Sequence, residues 1–369
     1  MKICLVSPTY PRESNPGSGS VAYYLSKYRQ GETLFITKRR TGKSLKPEPN
    51  LVLKEVSYPE FRLPPKPNFI VKIVLGLCKF LGYLIFLMRS VSYMIRFKPH
   101  IVHIHTPIPL LHGIFGKVFL RAKLALTLHG TDFLRLKSEK LLQWCIWRWV
   151  DTLFFVSNSM LEDLKQMLPG KHLVYTPNGV DTNKFYDQKR QRKKQLVAVG
   201  MLKWQKGYEY LLQAVKGVFS RHSDYKLVII GNGPLRAQLK EMVKNLMIAD
   251  RVEFLKGLTH EQVATVFNES SIFVMSSVSE GFPRALVEAI ACGTPVVATD
   301  VGSCREIVNG VGYIVKPRDP KEFKDALNRL IENDELRTDF SRNCQEVARR
   351  YDWKKTSEIV ESEYRKLAQ

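Results

Sequence analysis

Apolar residues in this chain arrive in short unbroken runs rather than in strict alternation. Residues 1–7 (MKICLVS), 33–37, 51–56, 99–106 (PHIVHIHT), 123–129 (KLALTLH), 152–157 (TLFFVS) and 173–176 form a first set. A second set occupies 196–200, 226–231, 252–255, 271–276, 295–299 and 312–315. Such runs, separated by stretches with helical spacing, read as strands covered on both faces, the signature of parallel β/α units. Between the sets, residues 187–195 (DQKRQRKKQ) hold no apolar residue. They are expected to form a solvated linker at a domain boundary. The expected fold is α/β, with two Rossmann-like β/α domains facing each other. The first spans 1–186 and the second 187–353, and a last helix covers roughly 354–369.

One segment breaks this rhythm. Phe69–Phe97 (FIVKIVLGLCKFLGYLIFLMRSVSYMIRF) is long and strongly apolar, punctuated by Lys72, Lys79, Arg89 and Arg96. A bilayer span needs roughly 20 apolar residues, and a lysine near the middle of the run makes spanning costly. The segment also lies between elements that pattern as one sheet. Two readings stay open: one or two core helices, or a helix lying on an anionic membrane surface.

Composition sharpens the second reading. A chain of 369 residues suits two domains better than one core. The formal charge of +22 is unevenly spread: residues 1–185 hold 27 Lys and Arg against 11 Asp and Glu, the remainder 30 against 24. A basic first half calls for a polyanionic neighbour, whether acidic lipid head groups, phosphorylated substrates or nucleic acid. The six cysteines have no paired spacing, which fits a reduced, cytoplasmic compartment and no metal knuckle. The opening apolar run is too short for a signal peptide, so no cleavage is expected.

The densest chemistry lies at 276–302 (SSVSEGFPRALVEAIACGTPVVATDVG). It reads as strand end, loop, short helix, turn and strand. Glu280 falls at the carboxyl edge of a strand, where open parallel sheets bind ligands. Glu288 sits a turn into the helix, beyond the Gly281-Phe282-Pro283 turn. The N–H groups of Phe282, Arg284, Ala285 and Leu286 are expected to face the same crevice and offer an anion site. The plainer reading is an exposed loop acid and a solvated helix acid. After the first strand of the second set come Lys203 and Lys206, the latter before a glycine at a helix start. That placement suits a leaving diphosphate, against the alternative of solvent-exposed lysines. His129 ends a strand and opens a glycine loop, whereas His103 and His105 read as sheet histidines rather than metal ligands. Gly17 and Gly19 would let the backbone approach a phosphate at the start of a helix over 21–28, or simply form a flexible loop. No Asp-x-Asp occurs, so neither a metal nor any other cofactor is expected.

Glu280-x7-Glu288 within EGFPRALVEAIACGTPVVATDVG resembles the signature of the retaining glycosyltransferases of family 4, which have the GT-B fold. The similarity runs over nearly the whole chain. It includes His129-Gly130-Thr131-Asp132, the turn Pro177-Asn178-Gly179-Val180-Asp181, the turn Gly231-Asn232-Gly233-Pro234, and the loop 251–258 that would lie under the base at Gly257 and Leu258. The terminal helix, after Tyr351-Asp352-Trp353 and carrying Tyr364, resembles the family's crossover onto the first domain. The resemblance implies a nucleotide-diphosphate sugar as co-substrate and transfer to an acceptor hydroxyl with retention. It implies that Glu280, Phe282 and Pro283 hold the sugar, Glu288 the ribose and Lys206 the diphosphate, with His129 facing the sugar. The glycines at 17 and 19 take the place of a Gly-Gly loop, and Met201 stands where the family has an arginine beside the diphosphate. The first domain would bind the acceptor, a glycan or a lipid-linked molecule, on the cytoplasmic face of an anionic membrane. Two other classes remain: a sugar-nucleotide epimerase of the same architecture, and a basic lipid- or nucleic-acid-binding protein. No specific nucleic-acid motif supports the latter.

Overall fold

The computed structural model describes residues 1–11, 19–40, 43–57 and 69–369, with side chains described from 74 onward in the last stretch. The chain divides into two compact units. Met1–Val156, Met160–Thr176 and Ser357–Gln369 make the first; Ser157–Ser159 and Pro177–Thr356 make the second. The division thus falls ten residues ahead of the expected 186/187.

In the first unit the apolar runs become β1 (Ile3–Ser7), β2 (Thr33–Lys38), β3 (Leu51–Val56), β4 (Ile101–His105), β5 (Lys123–Leu128), β6 (Thr152–Phe155) and β7 (His172–Tyr175). They form one sheet in the order β3-β2-β1-β4-β5-β6-β7. Every pairing is parallel, with Ile3 beside both Thr33 and Ile101. The connecting helices are α1 (Ser20–Lys27), α2 (Phe69–Phe97), α3 (Leu110–Phe119), α4 (Gly130–Ser138), α5 (Lys140–Trp149) and α6 (Leu161–Met167). Burial of β1, β4 and β6 is complete along their length, which is why their sequences show no polar alternation.

The second unit begins its sheet with β8 (Lys193–Val199), followed by α7 (Tyr208–Arg221), β9 (Lys226–Ile230), α8 (Arg236–Asn245), β10 (Val252–Leu255) and α9 (His260–Glu269). Next come β11 (Ser270–Met275), α10 (Arg284–Ala291), β12 (Val296–Thr299), α11 (Cys304–Val308) and β13 (Gly312–Val315). The chain closes with α12 (Pro320–Ile331), α13 (Asp334–Arg350) and α14 (Trp353–Ala368). The strand order is β10-β9-β8-β11-β12-β13, again all parallel. Order reverses beside β8, so the loops after β8 and β11 splay from adjacent strands, the place where such sheets hold ligands.

The terminal helix α14 is shared. Trp353 packs against Gly179, where an added Cβ would sit 2.6 Å from the indole, and Thr356 donates to the Pro177 carbonyl. Val180 and Asp352 form a parallel bridge. Further along the helix, Glu361 pairs with Arg29 at 3.0 Å and the Tyr364 hydroxyl meets His103 Nδ1, both within the first unit.

Residues 187–195 are exposed along most of their length, as their composition suggests, but they belong to the second unit rather than linking the two. Lys193–Gln195 open β8, and the Asp187 side chain is only 10% exposed. Arg192 explains the difference. It donates to the carbonyls of Phe267, Ser270, Cys292 and Gly293 and to Thr294 Oγ1. Phe267, Cys292 and Gly293 lie at the C-terminal ends of α9 and α10, whose last carbonyls have no partner within the helix.

Candidate active site

The second unit gathers its candidate residues at the carboxyl edge of its sheet. After β11 the chain runs through Ser276 and Ser277 into the Glu280 loop. Thr299, at the end of neighbouring β12, donates to the Ser277 carbonyl at 2.6 Å and fixes where the loop leaves the sheet. Glu280 Oε1 accepts from Ser277 Oγ at 2.7 Å and from Lys206 Nζ at 2.5 Å. The two side chains of this ion pair are 12% and 22% exposed. Such a partly sheltered pair is worth more than a surface one because solvent screens it less. Glu280 Oε2 has no hydrogen-bond partner among the described residues, so one carboxylate oxygen is held and the other is available.

Two glycines clamp this arrangement. Gly207, at φ 57°, follows Lys206, and an added Cβ would lie 2.2 Å from the Ser276 carbonyl oxygen. Ser276 Oγ in turn donates to the Lys206 carbonyl, and the N–H of Val278 donates to the Gln205 carbonyl. Gly302, at φ 55°, would place a Cβ 2.6 Å from the Gly281 oxygen and 2.7 Å from the Glu280 oxygen. Left-handed backbone and close approach coincide at both, so neither position admits a side chain without moving the loop. Tyr208 adds a hydroxyl bonded to the Gly200 carbonyl at 3.2 Å.

Helix α10 starts at Arg284, directly behind Phe282 and Pro283. The Leu286 N–H is spent on the Pro283 carbonyl at 3.1 Å, so this donor does not face the crevice as expected from sequence. A tight first turn consumes the donor, as 3₁₀-type bonds do at helix starts. Phe282 is buried against Tyr351, with ring centroids 5.6 Å apart, and therefore shapes the loop. Glu288, 13% exposed, is met by Arg284 Nη2 at 3.4 Å. His260, the first residue of α9, lies tilted against Phe185 with ring centroids 5.5 Å apart. Burial pulls its pKa below the ordinary histidine value, and the Glu288 charge opposes that shift. Sequence reasoning missed His260; its only signal is its place directly after the base loop.

Met201 is 57% exposed on the loop after β8 and Lys203 is half-buried. Leu202 between them anchors the Gly231-Asn232-Gly233-Pro234 turn: its N–H donates to Asn232 and its carbonyl accepts from Leu235. Gly257 is exposed at φ 73° and Leu258 half-buried, in the short loop between β10 and α9. Lys203, Lys206, the Glu280 loop, Glu288 and the Gly257–Leu258 loop thus lie on one edge of one sheet.

The first unit holds its own cluster. His129 follows β5 and starts α4, its N–H donating to Asp132 Oδ2 at 3.2 Å. Burial raises the Asp132 carboxyl to about 6. His105, at the end of β4, lies between His103 (4.4 Å between centroids) and His129 (6.2 Å). His103 is a sheet histidine as expected, bonded through Nε2 to Thr127 Oγ1 at 2.7 Å. His105 is different: it is buried and neither ring nitrogen has a partner. Gly19 caps α1 at φ 73°, where a Cβ would strike the Thr9 carbonyl at 2.4 Å. Gly17 lies outside the described residues. Among the described residues no group of three or more His, Cys, Asp or Glu is placed to hold a metal ion.

Comparison with known proteins bears on this geometry. The family model for glycosyl transferases group 1 matches residues 180–347, and that for glycosyltransferase family 4 matches 44–184. An uncharacterised glycosyltransferase of Methanocaldococcus jannaschii is 30% identical over 279 residues, covering 73% of this chain and 76% of that protein. Among solved structures, sucrose-phosphate synthase from Thermosynechococcus elongatus superposes with a TM-score of 0.80 at 18% identity, over 100% and 99% of the two chains. The Anabaena protein HepE, in complex with UDP and glucose, gives 0.76 at 18% identity over 99% of both. These matches lend no support to the epimerase alternative.

Proposed function

The chain belongs to the family 4 glycosyltransferases, is of GT-B type and uses a nucleotide sugar, and we propose that it transfers the sugar with retention, without a metal, to a lipid or lipid-linked acceptor. One observation carries the assignment of roles: Lys206 and Glu280 meet at 2.5 Å at the carboxyl edge of the sheet, with Glu280 Oε2 left over. Lys206 then neutralises charge growing on the departing diphosphate, while Oε2 accepts from sugar hydroxyls. The backbone at Phe282 and Pro283 borders the sugar, and Glu288 accepts from the ribose. Gly257 and Leu258 border the base. HepE was solved with UDP and glucose, which favours a UDP-sugar as the first donor to try.

In this reading the acceptor hydroxyl enters on the face the diphosphate leaves. The bond from the anomeric carbon to the phosphate oxygen breaks, the bond to the acceptor oxygen forms, and the acceptor's proton passes to the departing phosphate oxygen. Glu280 is a positioning residue, and the donor supplies its own leaving group. Lys203 provides the second positive charge in place of the arginine that Met201 replaces. The lipid acceptor rests on the basic, apolar character of the first unit, which also favours peripheral placement on the cytoplasmic membrane face.

The test is a thermal-shift screen of nucleotide-sugar donors followed by product analysis. A retaining transferase releases the nucleoside diphosphate and yields a glycoside with the donor's anomeric configuration, and turnover persists in EDTA. An inverted product or a strict Mg²⁺ or Mn²⁺ requirement overturns the mechanism.

A further inference from the structure

Helix α2 is far longer than the crossover it makes. It joins β3 to β4, strands of five or six residues in the same sheet, yet spans 29 residues. The buried stripe is narrow and begins late: Gly82, Phe86, Ser90 and Met94, each four residues after the last. Through it the helix packs on α3, with the Tyr83 hydroxyl on the Ile108 carbonyl and Phe86 against His112 at 4.8 Å. Residues 74–81 contribute nothing to this stripe. Val74, Leu77, Phe80 and Leu81 are 51–59% exposed, and Met88, two turns beyond Leu81 on the same face, is 63% exposed. Within Val74–Phe97 an 18-residue window has a mean hydropathy of 1.7, and only 22% of that window is buried.

Charge identifies what covers such a surface. From Phe61 to Thr131 the sequence holds ten Lys and Arg and no Asp or Glu. An apolar protein partner would need no such bias, whereas an anionic bilayer complements both features at once.

We infer that the N-terminal part of α2, residues 74–81 with Met88, is an interfacial insertion element that seats the first unit on an anionic lipid surface, lying in the plane of the membrane rather than crossing it. Exposed residues 74–81, with the five described helical residues before them, extend about 20 Å, short of a hydrocarbon core of about 30 Å. The remainder of the helix is held by α3 and, at Arg89, by the Ser57 carbonyl. Lys79, among the exposed apolar residues, reaches the head groups with its stem along the acyl boundary. The inference deepens the lipid-acceptor reading but does not depend on the transfer chemistry.

The experiment uses the full chain with vesicles of phosphatidylglycerol and phosphatidylcholine, and with phosphatidylcholine alone. Wild type co-floats with the mixed vesicles and loses most binding at high salt. Phe80→Ser with Leu81→Ser lowers the vesicle partition at least tenfold while leaving the melting temperature and nucleotide binding unchanged. Lys79→Gln with Arg89→Gln lowers it severalfold. A fluorophore at Leu81→Cys shifts to the blue on binding and stays quenchable from outside. Equal flotation of wild type and the Phe80/Leu81 variant overturns the proposal, as does absence of wild-type binding. Protection of the probe from both aqueous sides with release only by detergent means a span, and lipid-free dimers dispersed by Phe80→Ser mean a second copy of the chain. Loss of nucleotide binding by wild type, with flotation intact, sinks the donor reading alone.

Discussion

Glu288 and His105 show how one side chain's surroundings decide what its removal reports. Glu288 is nearly buried and meets Arg284 only at a long 3.4 Å, so its carboxylate is desolvated without a full set of donors. In the proposed reading a ribose hydroxyl pair supplies what is missing. Glu288→Ala should weaken free nucleoside diphosphate by about 1.5–3 kcal/mol, the worth of a charge-assisted hydrogen bond, and weaken the sugar donor equally. Calorimetry of the free nucleotide checks this, and unchanged affinity removes Glu288 from the site. His105 makes the opposite case. Burial holds its pKa well below 6.5, and drives His103 to about 3 and His112 to about 4. Each binds its proton in the unfolded chain first, so stability is present above pH 6.5 and is lost as pH falls toward the folded values. Asp132, raised to about 6, acts in the reverse sense: its contribution is present below its unfolded value and lost as pH rises through 6. Three histidines outweigh one carboxyl. Acidification from pH 7 to 5 should therefore destabilise the first unit. His105→Leu sacrifices no hydrogen bond, so it should shrink the drop in melting temperature between pH 7 and 5; an unaltered drop refutes the account.

At the scale of elements, residues 187–195 mark where composition misleads. Nine polar residues look like a linker until Arg192 is seen to close the ends of α9 and α10. Arg192→Ala leaves several buried carbonyls unpaired and should cost about 3 kcal/mol or more, whereas Arg190→Ala, at the exposed pair with Glu269, should cost less than about 1 kcal/mol. Denaturant midpoints of the two variants decide it, and equal effects would restore the linker reading. Most of each strand, by contrast, was legible, because a strand covered on both faces is largely apolar, whereas the largely exposed Lys193–Gln195 start of β8 carries no such signal. The Glu280 loop was legible as a motif, but its clamps were not. Gly207 and Gly302 work through carbonyls of Ser276, Glu280 and Gly281, contacts that no local pattern announces. The sequence of α2 is apolar and basic, a pattern that suits core and membrane surface alike. Only the spacing of Gly82, Phe86, Ser90 and Met94 shows how little of it the core takes up.

The whole molecule comprises two cores joined by few passages of chain, at 156/157, 159/160, 176/177 and within α14 at 356/357. Each core carries its own lever. The acid-sensitive histidines 103, 105 and 112 all sit in the first unit, while Lys206, Glu280 and Glu288 all sit in the second. A nucleoside diphosphate at a hundred times its dissociation constant stabilises the state that binds it by about 2.7 kcal/mol. Calorimetric melting should therefore resolve two steps that answer to different perturbations. Lowering the pH to 5 should move the first unit's step down, and nucleotide should move the second unit's step up. Helix α14 supplies Trp353 and Thr356 to one unit and Glu361 and Tyr364 to the other, so it is the element able to merge the two steps. Glu361→Ala strips the buried Arg29 of its carboxylate and should lower the first step while leaving the nucleotide-dependent one in place. A single transition that shifts equally with acid, nucleotide and Glu361→Ala would show instead that the two cores unfold as one cooperative body.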